Sequence, residues 1–187
     1  MAGIEELTRR VAQLEARAEI GALIAGYGLA CDEQDMATLM SLFTRDAYVG
    51  SKDGQLMRAQ GHAEIDAMFR RLFSFRGPSY HWTHDHLCTP DPANPDRATG
   101  RVMAHAETTP NGTTSLAALR YDDVYRREDG RWRFERRILS FLYYLPTQEY
   151  LAALPDPLRM RIQGDRRPAD FPEGLPTWKT GNAARPP

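Results

Sequence analysis

SLAALRYDDVYRREDGRWRFERRILSFLYY, residues Ser115–Tyr144, decides the fold. Its two arms are rich in aromatic and branched side chains that alternate with charged ones, and Glu128-Asp129-Gly130 between them has turn composition. The arms therefore read as two long antiparallel strands joined by a hairpin. Working back from them, ATGRVMAHAET (98–108) and YHWTHDHLC (80–88) have the same character, separated by the turn clusters Pro110-Asn111-Gly112 and TPDPANPD (89–96). Further upstream the period changes. Ile4, Leu7, Val11 and Leu14 recur at three and four, and Ile20, Leu23, Ile24 and Tyr27 continue with a phase change near 16–18. This predicts one long or broken helix over about 4–29. A short helix follows in MATLMSLF (36–43), with Asp35 placed to cap it. Tyr48-Val49 reads as a short strand with QLMRAQG (55–61) returning as its hairpin partner, and HAEIDAMFRRLFSF (62–75) as a third helix stopped by Gly77-Pro78. Helices first and sheet second is an α+β order, with the helices packed on one face of a curved, mainly antiparallel sheet.

The chain has 187 residues, suited to one domain with a core of its own. A formal net charge of −1 supplies no overall field for nucleic acid or an anionic membrane. No apolar run approaches the roughly 18 residues of a membrane span, and the charged start MAGIEELTRR lacks the apolar centre of a signal peptide. The expectation is a cytoplasmic protein. Cys31 and Cys88 form no CxxC pair, so a thiolate zinc site is not expected. The domain is expected over residues 1–154, with its core at about 16–145. A short helical piece lies in QEYLAAL (148–154). Residues 155–187, which hold seven of the thirteen prolines, are read as an extended or partly disordered tail, or one that wraps a neighbouring subunit.

Strand alternation sorts the chemistry-bearing residues. Ala98, Gly100, Val102, Ala104 and Ala106 form a small-residue face, fit for the inside of a cone that leaves room for a ligand; His105 falls on the opposite face with Arg101 and Met103. His84 and His86, two apart, are expected on a shared face. An HxH pair needs further converging ligands to hold a metal, and LCTPDPAN after His86 offers no nearby Glu or His, so no metal is expected. His86 becomes an effective base if a buried carboxylate holds its other ring N–H, and Asp32 serves if the first helix ends beside the strand. Asp32 reads equally as a cap within DEQD. Arg137 lies in a run of six arginines between Arg126 and Arg137. If it points inward it requires a buried acid, for which Asp123 is available, or an anionic or carbonyl ligand. Trp82, Phe69, Phe73, Tyr121, Phe141 and Tyr143 line an aromatic pocket or are plain core. There is no GxGxxG after a strand and no GxxxxGK[ST], so no redox or nucleotide cofactor is expected.

IGALIAGYGLACDEQDMATLMSLFTRDAYV (20–49), GHAEIDAMFRRL (61–72), THDHL (83–87) and YDDVYRREDGRWRFERRIL (121–139) together resemble the SnoaL-like branch of the nuclear transport factor 2 superfamily. The resemblance implies a cone-shaped α+β barrel. Within the branch the pattern is similar to that of scytalone dehydratase, γ-hexachlorocyclohexane dehydrochlorinase and bile-acid 7α-dehydratase. By that resemblance Asp32 and His86 are the catalytic pair, Tyr27 and Arg137 assist, and Tyr121 faces the pocket. From their own chemistry and strand face His84, Phe69, Trp82, Ala104, Ala106, Leu139 and Phe141 are also expected to contact substrate. The implied activity is that of a cofactor-independent lyase or isomerase, dehydratase-like, removing a proton from carbon of a small apolar cyclic or polyketide-like molecule. The alternative is a non-catalytic small-molecule-binding module, or a structural protein like a dioxygenase small subunit. The mixed outer face of Arg101, Met103, His105, Arg120 and Arg136, with the family's habit of pairing through its sheet, implies a homo-oligomer, trimer or dimer.

Overall fold

A computed structural model describes residues 2–164 and 166–182. Helix α1 (Ala2–Asp32) is followed by α2 (Met36–Ser41), β1 (Phe43–Ser51), β2 (Arg58–Gln60) and α3 (Gly61–Phe75). Four long strands complete the sheet: β3 (Tyr80–Pro90), β4 (Arg97–Thr108), β5 (Ser115–Glu128) and β6 (Arg131–Pro146). Two short helices follow, α4 (Tyr150–Ala153) and α5 (Pro176–Asn182). The sheet order is β2-β1-β6-β5-β4-β3; β1 runs parallel to β6, and every other neighbouring pair is antiparallel. The fold is mixed α+β, a curved sheet whose edges β2 and β3 do not pair, so it is an open cone rather than a closed barrel.

The first helix is continuous. Its change of phase is a change of face: Ala16, Ile20, Ile24 and Tyr27 are buried against the domain, while Ile4, Leu7, Val11 and Leu14 are exposed. At 100° per residue the two sets lie on opposite sides of one helix. Asp35 caps α2 as expected, its Oδ1 accepting the Thr38 N–H at 3.0 Å. Strand β4 alternates strictly. Ala98, Val102, Ala104 and Ala106 are buried, whereas Thr99, Arg101, Met103, His105 and Glu107 are exposed.

The C-terminal segment, expected as an extended or partly disordered tail or one wrapping a neighbouring subunit, packs in part on its own domain. Met160 bridges both Tyr144 and Arg167, and Met160 and Ile162 join the main core. Arg159 is buried and holds Glu173 with two bonds, at 2.7 and 2.9 Å, and the Leu142 carbonyl at 2.9 Å. Asp170 accepts from the Phe141 N–H at 2.7 Å and donates its own N–H to the Phe141 carbonyl at 2.9 Å. Residues 157–164 and 166–172 are therefore an irregular strap over the end of β6, held by arginine and aspartate bonds that a proline count does not reveal. Asp165 and residues 183–187 of the expected tail lie outside the described residues.

Candidate active site

The site is built where α1 ends. Helix and strand β3 run in opposite directions: a Cβ at Gly28 would meet His81 at 3.7 Å, and one at Gly21 would meet His86 at 3.5 Å. The last turn of α1 therefore faces the start of β3, and Asp32 meets His81. His81 Nδ1 lies 2.6 Å from Asp32 Oδ1, the His81 backbone N–H donates to Oδ2 at 2.8 Å, and Ser79 Oγ donates to Oδ1 at 3.2 Å. His81 and Asp32 side chains are about 10% and 12% exposed. Burial works to raise the Asp32 carboxyl; the ring and backbone bonds from His81, its nearby charge and the Ser79 bond outweigh it and hold the carboxyl below its usual range.

This corrects the expected Asp32–His86 pair. His86 sits opposite Gly21, eleven residues before Asp32 in the sequence, which is about 16 Å along a helix at 1.5 Å per residue. The sequence contained the clue in YHWTHDHLC, since His81 is the histidine of that strand nearest its start. Only the antiparallel docking of α1 shows that the start is what matters.

A register shift between Thr83 and His86 corrects a second expectation. His81, Thr83 and His86 pair with Ala106, Ala104 and Val102, all on the buried face of β4; three residues of β3 from Thr83 to His86 span two of β4. Plain alternation from Trp82 leaves His84 outward, where its Nε2 lies 2.8 Å from His105 Nδ1, and the bulge turns His86 to the inner face. His84 and His86 consequently lie on opposite faces, and the HxH pair is not a ligand pair. Trp82 also turns outward, 41% exposed and packed on Tyr80. Neither Trp82 nor His84 touches the internal cavity; both border a shallow groove on the outer face. Tyr143 packs in a separate outer cluster with Leu145 and Ala153.

The internal cavity is narrow, with a volume of about 70 Å³. Of the expected side chains, Tyr27, Phe69, Ala106, Tyr121, Leu139 and Phe141 line it; Ala104 is buried outside its lining. The sequence reading missed His81, Arg76, Thr108 and Tyr144, which supply polar atoms to an otherwise apolar wall. Thr108 and Tyr144 hydroxyls bond each other at 2.7 Å. Burial pushes the Tyr27 and Tyr121 phenols up, so both are neutral O–H groups at the cavity wall. The neighbouring Cys31 thiol is likewise pushed up by burial, to about 12, which makes it inert as a nucleophile.

Arg137 takes the structural option. It is fully buried, with Nε and Nη2 each 3.0 Å from the Asp123 carboxylate, which also accepts the Tyr125 hydroxyl at 2.9 Å. Its guanidinium lies 4.0–4.2 Å from the ring centres of Tyr27, Tyr121 and Phe134. It does not line the cavity; it stands behind two phenols that do. The pairing follows from register, since Arg137 and Asp123 are direct neighbours across β5 and β6.

Residues 12–138 match the SnoaL-like domain family. The chain belongs to that family. No curated protein matches it in sequence. Among solved structures it is similar to a candidate scytalone dehydratase of Novosphingobium aromaticivorans, with TM-score 0.66 and 19% identity over 73% of this chain and 91% of that one. A candidate aromatic ring hydroxylase of the same organism has TM-score 0.66 and 24% identity, over 73% and 96%. The hexachlorocyclohexane dehydrochlorinase LinA-type3 of Novosphingobium barchaimii has TM-score 0.64 and 18% identity, over 73% and 93%. At these identities the likeness is one of fold. In this SnoaL-like chain, among the described residues, no helix is long and apolar enough to cross a membrane, and no three His, Cys, Asp or Glu side chains converge as metal ligands.

Proposed function

We propose that the protein is a lyase or isomerase that needs no cofactor and removes a proton from carbon of a small, mostly apolar, cyclic or polyketide-like molecule. The observation that carries this is the 2.6 Å contact of His81 Nδ1 with Asp32 at the wall of the cavity. With Nδ1–H held by the carboxylate, Nε2 is left as the free base, and the imidazolium that forms on proton capture is stabilised by Asp32. In the elimination reading the C–H bond breaks, its proton goes to Nε2, and its electron pair becomes the new C=C bond. The group on the adjacent carbon then leaves with its own bonding pair. The Tyr27 and Tyr121 hydroxyls, neutral at working pH, are placed to donate to a carbonyl or to the departing group. A positioned base contributes about 10²–10⁴-fold, so these donors supply a necessary share. The names of the scytalone dehydratase and dehydrochlorinase relatives agree with this chemistry.

The binding-module alternative expects a histidine sealed by side chains or a collapsed interior; His81 instead lines the internal cavity. The test is proton exchange. A panel of small cyclic ketones and β-hydroxyketones is incubated with the protein in deuterated water and followed by NMR. Wild type should accelerate exchange or elimination for at least one member by 10²-fold or more over His81→Ala. Equal behaviour of the two proteins across the panel would overturn the reading.

A further inference from the structure

The first half of α1 carries apolar side chains with no cover. Ile4, Leu7, Val11 and Leu14 are 72%, 60%, 44% and 63% exposed, and residues 3–12 are exposed throughout. The spacing of three, four and three is that of alternating a and d heptad positions: Ile4 a, Leu7 d, Val11 a, Leu14 d. Branched residues at a with leucine at d favour two parallel strands. The seam faces away from the domain, because Ala16, Ile20 and Tyr27 bury the opposite side of the same helix. Charge agrees with a second copy of this chain. In that register Arg10 is a g position and Glu15 the e position of the next heptad, so two parallel copies bring Arg10 beside the other Glu15 twice. An antiparallel pair would bring Arg10 toward Arg10. Among the described residues Arg10 and Glu15 make no ion pair, whereas Glu6 and Arg9 are paired within the helix at 2.7 Å. Arg9, Ala12 and Gln13 on the other side of the arm border the β3–β4 loop at Pro90–Pro92 and Pro95, whereas the seam itself is bare. A helical segment this short is marginal in water, and a partner on the seam would remove that weakness.

We propose that the N-terminal half of α1 is a parallel two-stranded coiled-coil arm that pairs two copies of this chain. The full chain should sediment as a concentration-dependent dimer at about 10–100 μM. Leu7→Glu with Val11→Glu, both on the exposed arm, should shift it to monomer with the circular dichroism of the β-rich domain preserved. Arg10→Glu alone should weaken the dimer at least about fivefold, and Arg10→Glu with Glu15→Arg should restore it. Leu14→Cys should cross-link to itself under mild oxidation, because d positions meet in a parallel pair. A monomer mass at 100 μM would overturn the proposal. So would a dimer mass indifferent to the two glutamates, which would place the contact on the sheet instead.

A separate observation concerns Arg76. It follows α3 with its backbone held on three sides: its N–H by the Phe73 carbonyl, its carbonyl by Gln34 Nε2 at 3.2 Å, and by a β-bridge to Pro110. Its side chain lines the cavity that holds His81, its Nε is buried without a hydrogen-bond partner, and among the described residues it makes no ion pair. Its charge reaches far enough inward to pull the Cys31 thiol and Tyr121 phenol down against the rise that burial imposes. A guanidinium at the wall of an apolar cavity, with no ion-pair partner among the described residues, is a site for an oxyanion.

We infer that Arg76 selects substrates that carry a carboxylate or similar anionic oxygen on an apolar ring, an inference that rests on the cavity of the proposed function and names its substrate class. The probes are benzoate and cyclohexanecarboxylate against their neutral amides, titrated by calorimetry. Wild type should bind each acid at least tenfold more tightly than its amide. Arg76→Gln should lose the preference, and Arg76→Lys should keep part of it, which separates charge from folding. His81→Gln should keep the preference while losing proton exchange, so failure of the selectivity and failure of the base are read separately. Equal affinity for acid and amide, no binding of either, or a preference that survives Arg76→Gln each overturns the inference.

Discussion

Two of the three histidines of strand β3, His81 and His84, point to opposite faces of the sheet. His81 turns inward, is nearly buried, and has its Nδ1 tied to a carboxylate at a cavity wall. His84 turns outward and meets His105, another imidazole, in solvent. Two imidazoles sharing one proton have nothing to stabilise a charge on either; burial and the neighbouring His84 hold the His105 pKa down. The comparison teaches that the partner and the face, and not the residue type or its place in a motif, decide whether a histidine is equipped as a base.

The comparison breaks most severely if its inner face loses the buried ion pair. Arg137→Met strands the Asp123 carboxylate in the core and should cost about 3–5 kcal/mol, seen as a lower urea midpoint. Arg137→Met with Asp123→Leu should recover most of that loss. Next comes His81 itself. His81→Ala should lower turnover of any substrate found in the exchange panel by at least about 10²-fold, Asp32→Asn should be comparably severe, and the double variant should be no worse than the more damaging single one. A smaller effect sharpens the electrostatics. Because the folded Asp32 carboxyl is held below its unfolded value, its contribution to stability is complete above the normal carboxylate range and is lost as pH falls through the lower folded value. Urea midpoints from pH 5 to pH 2 should therefore fall less steeply for Asp32→Asn than for wild type. Asp170→Ala, which removes the carboxylate bond to the Phe141 N–H, should cost about 1–3 kcal/mol. The smallest effects belong to the outer face and the far end of the strand. His84→Gln, His105→Gln and His86→Ala should each leave turnover within a few-fold, and a 10²-fold loss in any of them would dissolve the distinction drawn between the faces.

Much of the architecture was legible because it rests on period. Four long strands, the three helices before them and the small inner face of β4 all follow from where apolar residues recur. The cavity wall was legible in part: Tyr27, Phe69, Ala106, Tyr121, Leu139 and Phe141 were expected there and line it. What failed was relative position. The bulge after Thr83 adds one residue and reverses the parity of everything measured across it, which put His84 and His86 on one face when they lie on two. Arg76 went unread because a single arginine after a helix carries no sequence signal; only its enclosure without a partner sets it apart.

Local periodicity and turn chemistry, which depend on neighbours within a few residues, determined the elements, their order and the family to which the chain belongs. They also set the two faces of α1, visible in sequence as a phase change and in space as one side packed and one side bare. Tertiary structure alone decided which histidine receives Asp32, whether Arg137 meets a ligand or Asp123, and that the proline-rich strap folds onto β6. Each of these is a meeting of groups far apart in the chain, settled by the direction in which a helix lies on a strand, by register across a hairpin, and by the burial that makes an unpaired charge too costly to leave alone.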